Sequence, residues 1–371
     1  MLGENVREEN RGLRIVSIGG GTGLSSLLSG LKAHVGEDCV VASTPEAPWI
    51  ETLTAVVTVT DDGGSSGRLR EEFQILPPGD IRNCMVALAE DERLLTQLFQ
   101  YRFESDGDLA GHSFGNLFLA ALTSVTGDFF EAIKVSSEVL AIKGRIFPST
   151  VEDVALVAEL EDGRTIKGES KIVETRVPIR HLRLSHPCRP LAETLDAIAQ
   201  ADLITIGPGS LYTSIIPNLL VDDIVNALNQ SPAMKAYICN IMTQPGETEG
   251  FTVEDHLRSL FEHSPALKLD YVIVNAGPIH AELRDKYLAD GAVQVEFAAR
   301  SLCAGELPVE IRIGEAPRRR SMLVLCENLV SEHNVVRHDP QRLARLLLNI
   351  HQRHLTPPLS FSDARRFDFG F

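Results

Sequence analysis

The chain has 371 residues and an ordinary globular composition, with 44% hydrophobic and 23% charged residues. Its formal net charge of −16 would repel a nucleic-acid backbone and argues against DNA or RNA partners. No apolar run approaches the roughly 18 residues of a membrane span, and the N-terminus lacks a signal peptide's apolar stretch. The six cysteines are scattered, without zinc-type spacing. We therefore expect a cytoplasmic protein with reduced cysteines and no membrane contact.

Short apolar runs that end in Gly, Asp or Asn loops recur along the chain and predict the strands of a sheet. The runs are LRIVSI, TAVVTVT, DLITI, YICNI and YVIVN, and they are continuous, as in parallel strands covered on both faces. Helical patterns lie between them, at Leu24–Lys32, Leu191–Gln200, Val253–His263 and Ala281–Ala289. The sequence thus predicts a doubly wound, mainly parallel, Rossmann-like α/β sheet, with ligands beyond the carboxyl ends of its strands.

The middle of the chain has a different pattern. Two stretches are almost wholly helical, and three short ones predict antiparallel strands. The helical stretches are Asp91–Arg102 and Gly115–Leu140, and the strands are Val154–Leu160, Thr165–Ile172 and Ile179–Leu184. We expect one domain over residues 13–355 with a small β-hairpin insert at about 150–185. A disordered N-terminus at 1–12, a C-terminal tail at 356–371 and a loop insertion at 43–51, with the only tryptophan, complete the chain.

The first strand runs directly into a turn of four glycines and a threonine, IGGGTGL at residues 18–24. The spacing fits neither the Rossmann fingerprint nor a P-loop. Bare glycines let backbone N–H groups, and the N-terminus of a following helix, approach an anion. A plain strand-to-helix turn is the alternative, but it rarely needs so many glycines. We interpret Gly20, Gly21, Thr22 and Gly23 as a phosphate-binding loop.

The second loop, DDGGSSGR, places two carboxylates at a strand end. Asp61 and Asp62 could accept hydrogen bonds from ribose hydroxyls or bind Mg²⁺ together with phosphate oxygens. One of them could instead cap a turn. Ser65, Ser66 and Arg68 add hydroxyl donors and a guanidinium fork that suits phosphate.

Two further loops, PPGDIRN and GHSFGN, each lead into a predicted helix. Asp80 is either the N-cap of its helix or a functional acid. Arg82 and Asn83 follow in the first turn, where a cation opposes the helix dipole and is therefore expected to face a ligand. His112 and Asn116 surround the second turn. A histidine there is either structural or a group that titrates usefully near neutral pH.

The last pair of loops, GPGSLYTSI and CNIMTQPGET, repeats the combination of glycines and hydroxyls. The candidate anion contacts in the first are Gly207, Gly209, Ser210, Tyr212 and Thr213. In the second, Asn240, Thr243 and Gln244 supply neutral donors and acceptors for a base or sugar. Turn chemistry at a strand end is the alternative for each. We expect these loops to converge at one edge of the sheet, beyond the carboxyl ends of its strands.

Together, IGGGTG, VTVTDDGGSSGRLR, PPGDIRN, GHSFGN, GPGSLYTSI and NIMTQPGET resemble the YvcK/CofD-like family from about Leu13 to His354. One branch is the 2-phospho-L-lactate transferase of deazaflavin coenzyme synthesis, which uses Mg²⁺. The other is the gluconeogenesis-factor type, which binds UDP-sugars such as UDP-N-acetylglucosamine and is linked to cell shape, cell-wall precursor supply and gluconeogenic growth. The DDGGSSGRLR and MTQPGET blocks are more similar to the second branch.

The resemblance also implies residue roles. Gly20, Gly21, Thr22 and Gly23 would contact the pyrophosphate, with Gly209, Ser210 and Thr213 beside it. Asp61 and Asp62 would lie where the transferase holds metal or its acceptor, and Asn83, His112 and Asn116 would line the same cleft.

Two hypotheses therefore stand. We favour a nucleotide-sugar-binding regulator. The alternative is a Mg²⁺-dependent transferase that moves a phospholactate-like group from a nucleotide donor to a deazaflavin alcohol, with Asp61, Asp62 and His112 as its catalytic residues. A homodimer is expected in either case.

Overall fold

One large sheet forms the centre of the molecule. The computed structural model describes residues 11–36, 49–90, 93–104, 106–299, 309–313, 320–333, 335–355 and 365–369. In chain order the strands are β1 (Leu13–Gly19), β2 (Ile50–Val57), β3 (Arg145–Pro148), β4 (Leu156–Leu160), β5 (Thr165–Lys167), β6 (Ile179–Leu184), β7 (Leu203–Ile206), β8 (Met234–Ile238), β9 (Tyr271–Asn275), β10 (Val309–Ile313), β11 (Arg320–Glu327), β12 (Val330–Ser331), β13 (Arg337–His338) and β14 (Arg365–Phe369).

Nine of these strands pair side by side in the order β14-β10-β11-β9-β8-β7-β1-β2-β3. Neighbouring strands are parallel except for β10 and β11. The chain moves outward from β1 to β2 and β3, returns to β7 on the other side of β1, and continues to β8 and β9. This doubly wound order confirms the predicted fold class. The direction of winding reverses between β1 and β7, and ligands of such sheets bind at that point.

Helices cover the sheet on both faces. They are α1 (Gly21–Lys32), α2 (Gly64–Phe73), α3 (Gly79–Leu88), α4 (Arg93–Gln100), α5 (Phe114–Thr126), α6 (Phe129–Val139), α7 (Glu169–Glu174), α8 (Ala192–Gln200), α9 (Ile216–Leu219), α10 (Ile224–Gln230), α11 (Val253–His263), α12 (Ala281–Ala289) and α13 (Pro340–Leu355), with a π-helical turn at Leu211–Ile215 before α9. The central strands are buried throughout, which explains their continuous apolar runs. No helix among the described residues is long and apolar enough to cross a lipid bilayer.

The stretch predicted to be almost wholly helical, Gly115–Leu140, contains two helices, α5 and α6. Gly127 ends α5 in the left-handed region at φ +73°, where glycine is favoured. Asp128 then begins α6, since its side chain accepts a hydrogen bond from the Glu131 N–H at 2.8 Å. Both helices carry apolar residues, so the hydrophobic pattern alone does not mark the break between them.

The insert is a three-stranded antiparallel sheet in the order β5-β4-β6, as predicted. Its middle segment differs from the prediction: the strand expected over Thr165–Ile172 stops at Lys167, and α7 follows. Gly168 turns the chain at φ +106°, and the Asp62 carboxylate accepts a hydrogen bond from the Ser170 N–H at 2.8 Å. A contact from a distant loop therefore helps to begin this helix, which local sequence does not reveal.

Several expectations fall partly outside the described residues. These are the disordered segment at 1–12, the insertion at 43–51, the start of the helix predicted at Asp91 and most of the tail at 356–371. Within the tail, Arg365–Phe369 forms β14 beside β10.

Cysteine chemistry follows the prediction at three positions and departs from it at one. Cys84, Cys188 and Cys239 are buried free thiols. Cys326 is disulfide-bonded, so the expectation of reduced cysteines is wrong there. Scattered spacing carries no signal for a pair that only the tertiary fold brings together.

The helices α1 and α13 approach closely at Gly30. A Cβ atom at this position would overlap the carbonyl oxygen of Pro340, so only glycine permits the observed packing. We expect Gly30→Ala to lower the free energy of unfolding by about 2 kcal/mol, because overpacking exceeds the gain in helix propensity. Ser29→Ala, a partly exposed neighbour on α1, should change it by less than about 0.5 kcal/mol. Urea unfolding measures both, and equal stabilities would contradict the packing argument.

Candidate functional site

A cleft of about 500 Å³ opens where the carboxyl ends of β1 and β7 diverge. Loops that follow β1, β7 and β8 form its walls. Nine residues predicted to bind ligand line it: Gly20, Gly21, Thr22, Gly23, Gly209, Ser210, Asn240, Thr243 and Gln244. The structure therefore brings together three of the six predicted loops at one cleft.

The glycine loop has a steric reason for its composition. A Cβ on Gly23 would lie 2.6 Å from the Pro208 carbonyl oxygen, and one on Gly20 would lie 2.5 Å from Oδ2 of Asp80. Gly21 has φ +62° and begins α1, with no side chain of the loop capping the helix. The amino end of α1 thus points its partial positive charge at the cleft. One of its first amides, the Gly21 N–H, donates to the Asp80 carboxylate.

Three predicted residues near β7 lie behind the cleft wall. Gly207 precedes a cis peptide bond to Pro208 and has φ +82°. The Tyr212 hydroxyl accepts a hydrogen bond from Ser259, and the Thr213 hydroxyl donates one to Glu247 at 3.1 Å. Both side chains are buried. Tyr212 and Thr213 therefore support the wall, and neither lines the cleft.

A short network of amides connects the two walls that follow β7 and β8. Gln244 donates through Nε2 to the Ser210 hydroxyl at 2.8 Å and accepts from Asn240 through Oε1 at 3.1 Å. The Thr243 hydroxyl accepts from the Val293 N–H at 2.9 Å. These contacts fix the orientation of polar groups at the mouth of the cleft.

The far wall was missed by sequence reasoning. It consists of an apolar surface and two consecutive polar residues on β13. The apolar members are Ile241, Met242, Tyr287, Ala292, Val335 and Val336, and the polar ones are Arg337 and His338. Arg337 is exposed, and it is the one Arg or Lys side chain among the described residues that line the cleft. Its motif, RHDP, contains no glycine or strand-end signal that would mark it.

Four carboxylates lie close to one another near the cleft, and of these only Glu247 lines it. Burial, and then repulsion from Asp61, raises the pKa of Asp80 to about 6. Burial raises the pKa of Glu247 to about 7. Burial, followed by repulsion from Asp61 and Asp80, raises the pKa of Glu169 well above its ordinary value. We call Asp61, Asp80, Glu169 and Glu247 the acidic face.

Asp61 and Asp62 diverge instead of forming a pair. An oxygen of Asp61 lies 2.8 Å from the place of a Cβ on Gly79, beside Asp80, whereas Asp62 is bonded to the Ser170 N–H of α7. In the part of the chain that the structure describes, no three His, Cys, Asp or Glu side chains converge as metal ligands. Mg²⁺ needs only one or two carboxylates together with phosphate oxygens. Asp61 and Asp80, neighbours at the start of α3, are the carboxylates that would hold such a cation, and neither of them lines the cleft.

The other predicted residues lie on α2, α3 and α5 and in the loop before α5. They are Ser65, Ser66, Arg68, Asn83, His112 and Asn116. The Ser65 hydroxyl lies 3.0 Å from Nδ1 of His112, and Arg68 donates to the Ala110 carbonyl at 2.7 Å. Burial, and then the charge of Arg68, lowers the pKa of His112. Since none of these side chains lines the cleft, their predicted contact with ligand stays a prediction.

Glu247 gives the fold a distinctive pH dependence. Its pKa rises from 4.5 to about 7 on folding, so the stability it contributes is complete below pH 4.5 and lost as pH rises through 7. We expect the unfolding free energy of Glu247→Gln to fall less between pH 4.5 and 8, by about 3 kcal/mol relative to wild type. Exposed Glu249→Gln should follow the wild-type slope. Urea unfolding at several pH values measures this, and parallel slopes for Glu247→Gln and wild type would refute it.

Comparisons with known proteins agree with this architecture. A family model described as 2-phospho-L-lactate transferase CofD matches residues 15–311. The chain is 46% identical over 338 residues to the gluconeogenesis factor of Bacillus subtilis, which covers 91% of this chain and 98% of that protein. It is 48% identical over 282 residues to the gluconeogenesis factor of Halalkalibacterium halodurans, at 76% and 83% coverage. A crystal structure of a Bacillus halodurans protein superposes with a TM-score of 0.79 at 42% identity, and covers 91% of this chain and all of the other.

These matches confirm the resemblance that the loop motifs suggested. The family model spans most of the chain, and the two relatives are 46% and 48% identical to the chain over the aligned residues. The chain belongs to the CofD family, and within that family it is similar to the gluconeogenesis factors.

Proposed function

We propose that this protein is a nucleotide-sugar-binding regulator, with a UDP-sugar such as UDP-N-acetylglucosamine as its ligand. It acts in the cytoplasm, as a homodimer, in gluconeogenic growth, cell shape and cell-wall precursor supply. The observation that carries the proposal is the cleft itself. The amino end of α1, the Gly209 turn and the exposed Arg337 all line it.

The cleft matches the parts of such a ligand. Its volume of about 500 Å³ is in the range of small-molecule sites. The diphosphate lies at Gly20–Gly23 and Gly209, where backbone amides face an anion, with Arg337 as its cationic partner. The apolar surface around Ile241, Met242 and Tyr287 receives the base or the acetamido group. The side chains of Asn240 and Thr243 form hydrogen bonds with hydroxyl and carbonyl groups of the ligand.

The acidic face makes a cation necessary for tight binding. A diphosphate beside Gly20 would lie close to Asp80, and both anions would compete for the amino end of α1. A divalent cation such as Mg²⁺ would supply charge neutralisation there. Asp61 and Asp80 are the residues that would hold it, with Glu247 nearby in the wall.

The transferase alternative rests on the family match over residues 15–311 and on the same acidic face. The arrangement of His112 favours the regulator, because this candidate catalytic residue is 5% exposed and bonded to Ser65 behind the cleft. Tyr287 is the one aromatic side chain among the described lining residues, which leaves little surface for stacking a deazaflavin ring.

Calorimetric titration with UDP-N-acetylglucosamine, with and without Mg²⁺, tests the proposal. GDP and the deazaflavin alcohol serve as comparison ligands. Saturable binding of the UDP-sugar, with the ligand recovered intact, is expected. Consumption of an activated phospholactate donor in the presence of the deazaflavin alcohol would contradict the regulator and support the transferase.

Arg337 should account for a measurable share of the affinity. We expect Arg337→Ala to weaken UDP-N-acetylglucosamine binding about tenfold or more, the usual effect of losing a charged hydrogen bond. Arg345→Ala removes an exposed arginine of α13 outside the cleft and should leave the dissociation constant unchanged. Equal affinities of all three proteins would remove Arg337 from the site.

Replacing Asp80 should change the affinity for the nucleotide-sugar in opposite directions with and without a divalent cation. Asp80→Asn removes a charge that repels the diphosphate, so we expect tighter binding in EDTA than wild type shows. In Mg²⁺ the variant should bind more weakly, because it has lost a cation ligand. The same direction of change in both buffers would contradict this account, and thermal melting verifies that the variant is folded.

A further inference from the structure

The carboxyl end of α12 contributes a part of the cleft that none of the predicted loops supplies. Tyr287, Asp290 and Ala292 line the cleft there. Gly291 has φ +86°, the left-handed conformation in which many helices end. The Ala292 N–H donates to the Tyr287 carbonyl at 2.9 Å, and the Gly291 N–H donates to the Leu288 carbonyl at 3.0 Å. These are the two bonds of a Schellman motif, and they fix the backbone of Asp290 at the cleft.

A side-chain contact joins this helix end to the segment before β13. The Tyr287 hydroxyl accepts a hydrogen bond from the Val336 N–H at 3.0 Å. The Tyr287 side chain also packs against a small apolar cluster that includes Ile241 and Met242. The end of α12 is therefore connected to the strand that carries Arg337.

Asp290 has a carboxylate that the protein itself does not use. Among the described residues that line the cleft, the other carboxylate is Glu247, whose oxygens accept from the Tyr212 N–H and the Thr213 hydroxyl. The side chain of Asp290 is exposed and has no hydrogen bond or ion pair with any described residue. Both of its oxygens can therefore accept hydrogen bonds from a ligand.

The position of Asp290 is also unfavourable for the helix. It is the C-cap residue of α12, where the helix dipole places partial negative charge. A carboxylate at this end of a helix lowers its stability. Departures from such local rules concentrate at functional sites. A charge at a destabilising position, in a cleft and without a protein partner, indicates a contact with ligand.

The chemistry of a carboxylate decides which part of a ligand it contacts. An ionised carboxylate only accepts hydrogen bonds, and two adjacent hydroxyl groups can donate to its two oxygens together. A uracil ring is a poor match, because its single ring N–H lies between two carbonyl oxygens that would face the carboxylate. A phosphate is repelled by it.

We propose that Asp290 determines ligand specificity by accepting hydrogen bonds from a vicinal pair of hydroxyl groups. This rests on the proposed nucleotide-sugar function, whose ligand carries one such pair on the ribose and another on the hexose. The same carboxylate disfavours ligands that present only phosphate or a bare base at this end of the cleft.

Three ligands identify the hydroxyl pair: UDP, 2′-deoxy-UDP and UDP-N-acetylglucosamine. Calorimetry gives their dissociation constants for wild type, Asp290→Asn and Asp285→Asn. Asp285 is an exposed aspartate of the same helix outside the cleft, so its variant is a matched control and should bind as wild type does. In Asp290→Asn the ligand that carries the contacted pair should bind about tenfold more weakly, the usual effect of losing a charged hydrogen bond.

The pattern of loss tells the two sugars apart. A loss for UDP-N-acetylglucosamine, with UDP binding unchanged or tighter, assigns Asp290 to the hexose. A similar loss for UDP and UDP-N-acetylglucosamine, with 2′-deoxy-UDP unaffected, assigns it to the ribose. Either pattern supports the proposal, because the loss depends on a hydroxyl group of the ligand.

Thermal melting separates a lost contact from a damaged fold. Asp290→Asn should melt no lower than wild type, since it removes a negative charge from the negative end of α12. Equal weakening of all three ligands, or no weakening of any, overturns the role of Asp290 and leaves the nucleotide-sugar function intact. Failure of wild type to bind UDP-N-acetylglucosamine overturns the proposed function and this inference with it.

Discussion

The site depends on the amino end of α1, because its partial positive charge attracts both the Asp80 carboxylate and any anion bound in the cleft. Asp80 already accepts a hydrogen bond from the Gly21 N–H, and Gly20, Gly21, Thr22 and Gly23 line the cleft. Only the backbone of Gly20 lies between the Asp80 carboxylate and the cleft. An acidic chain with a net charge of −16 can therefore still hold a phosphate, provided that local positive charge outweighs the acids nearby.

Much of the fold follows from local sequence. Continuous apolar runs identified β1, β2, β7, β8 and β9, and their glycine-rich ends identified the edge of the sheet where the cleft lies. The failures have non-local causes. The helix α7 begins where Asp62, more than a hundred residues earlier in the chain, bonds to its first turn. Helix propensity and hydrophobic period cannot contain such a contact.

The site was predictable where a residue type has few other uses and was missed elsewhere. Clustered glycines after a strand pointed to Gly20–Gly23, and the structure places them in the cleft. Arg337 went unnoticed because a surface arginine before a helix is commonplace. The hydroxyls of Ser65 and Thr213 matched a binding pattern, yet the structure uses them to bond His112 and Glu247. A motif lists donors and acceptors without stating which of them the fold has already paired.

The close contact of α1 with α13 at Gly30 affects how a ligand is exchanged. The Ser26 hydroxyl of α1 also bonds to the carbonyl of His338, on the strand that carries Arg337. The glycine loop and the strand that carries Arg337 are thus attached to the same helix, which fixes the distance between them. Where a lid or domain closes over a ligand, its reopening often limits the rate of release. If the cleft binds the proposed nucleotide-sugar, its fixed walls leave diffusion into the cleft and escape from it as the steps that govern ligand exchange.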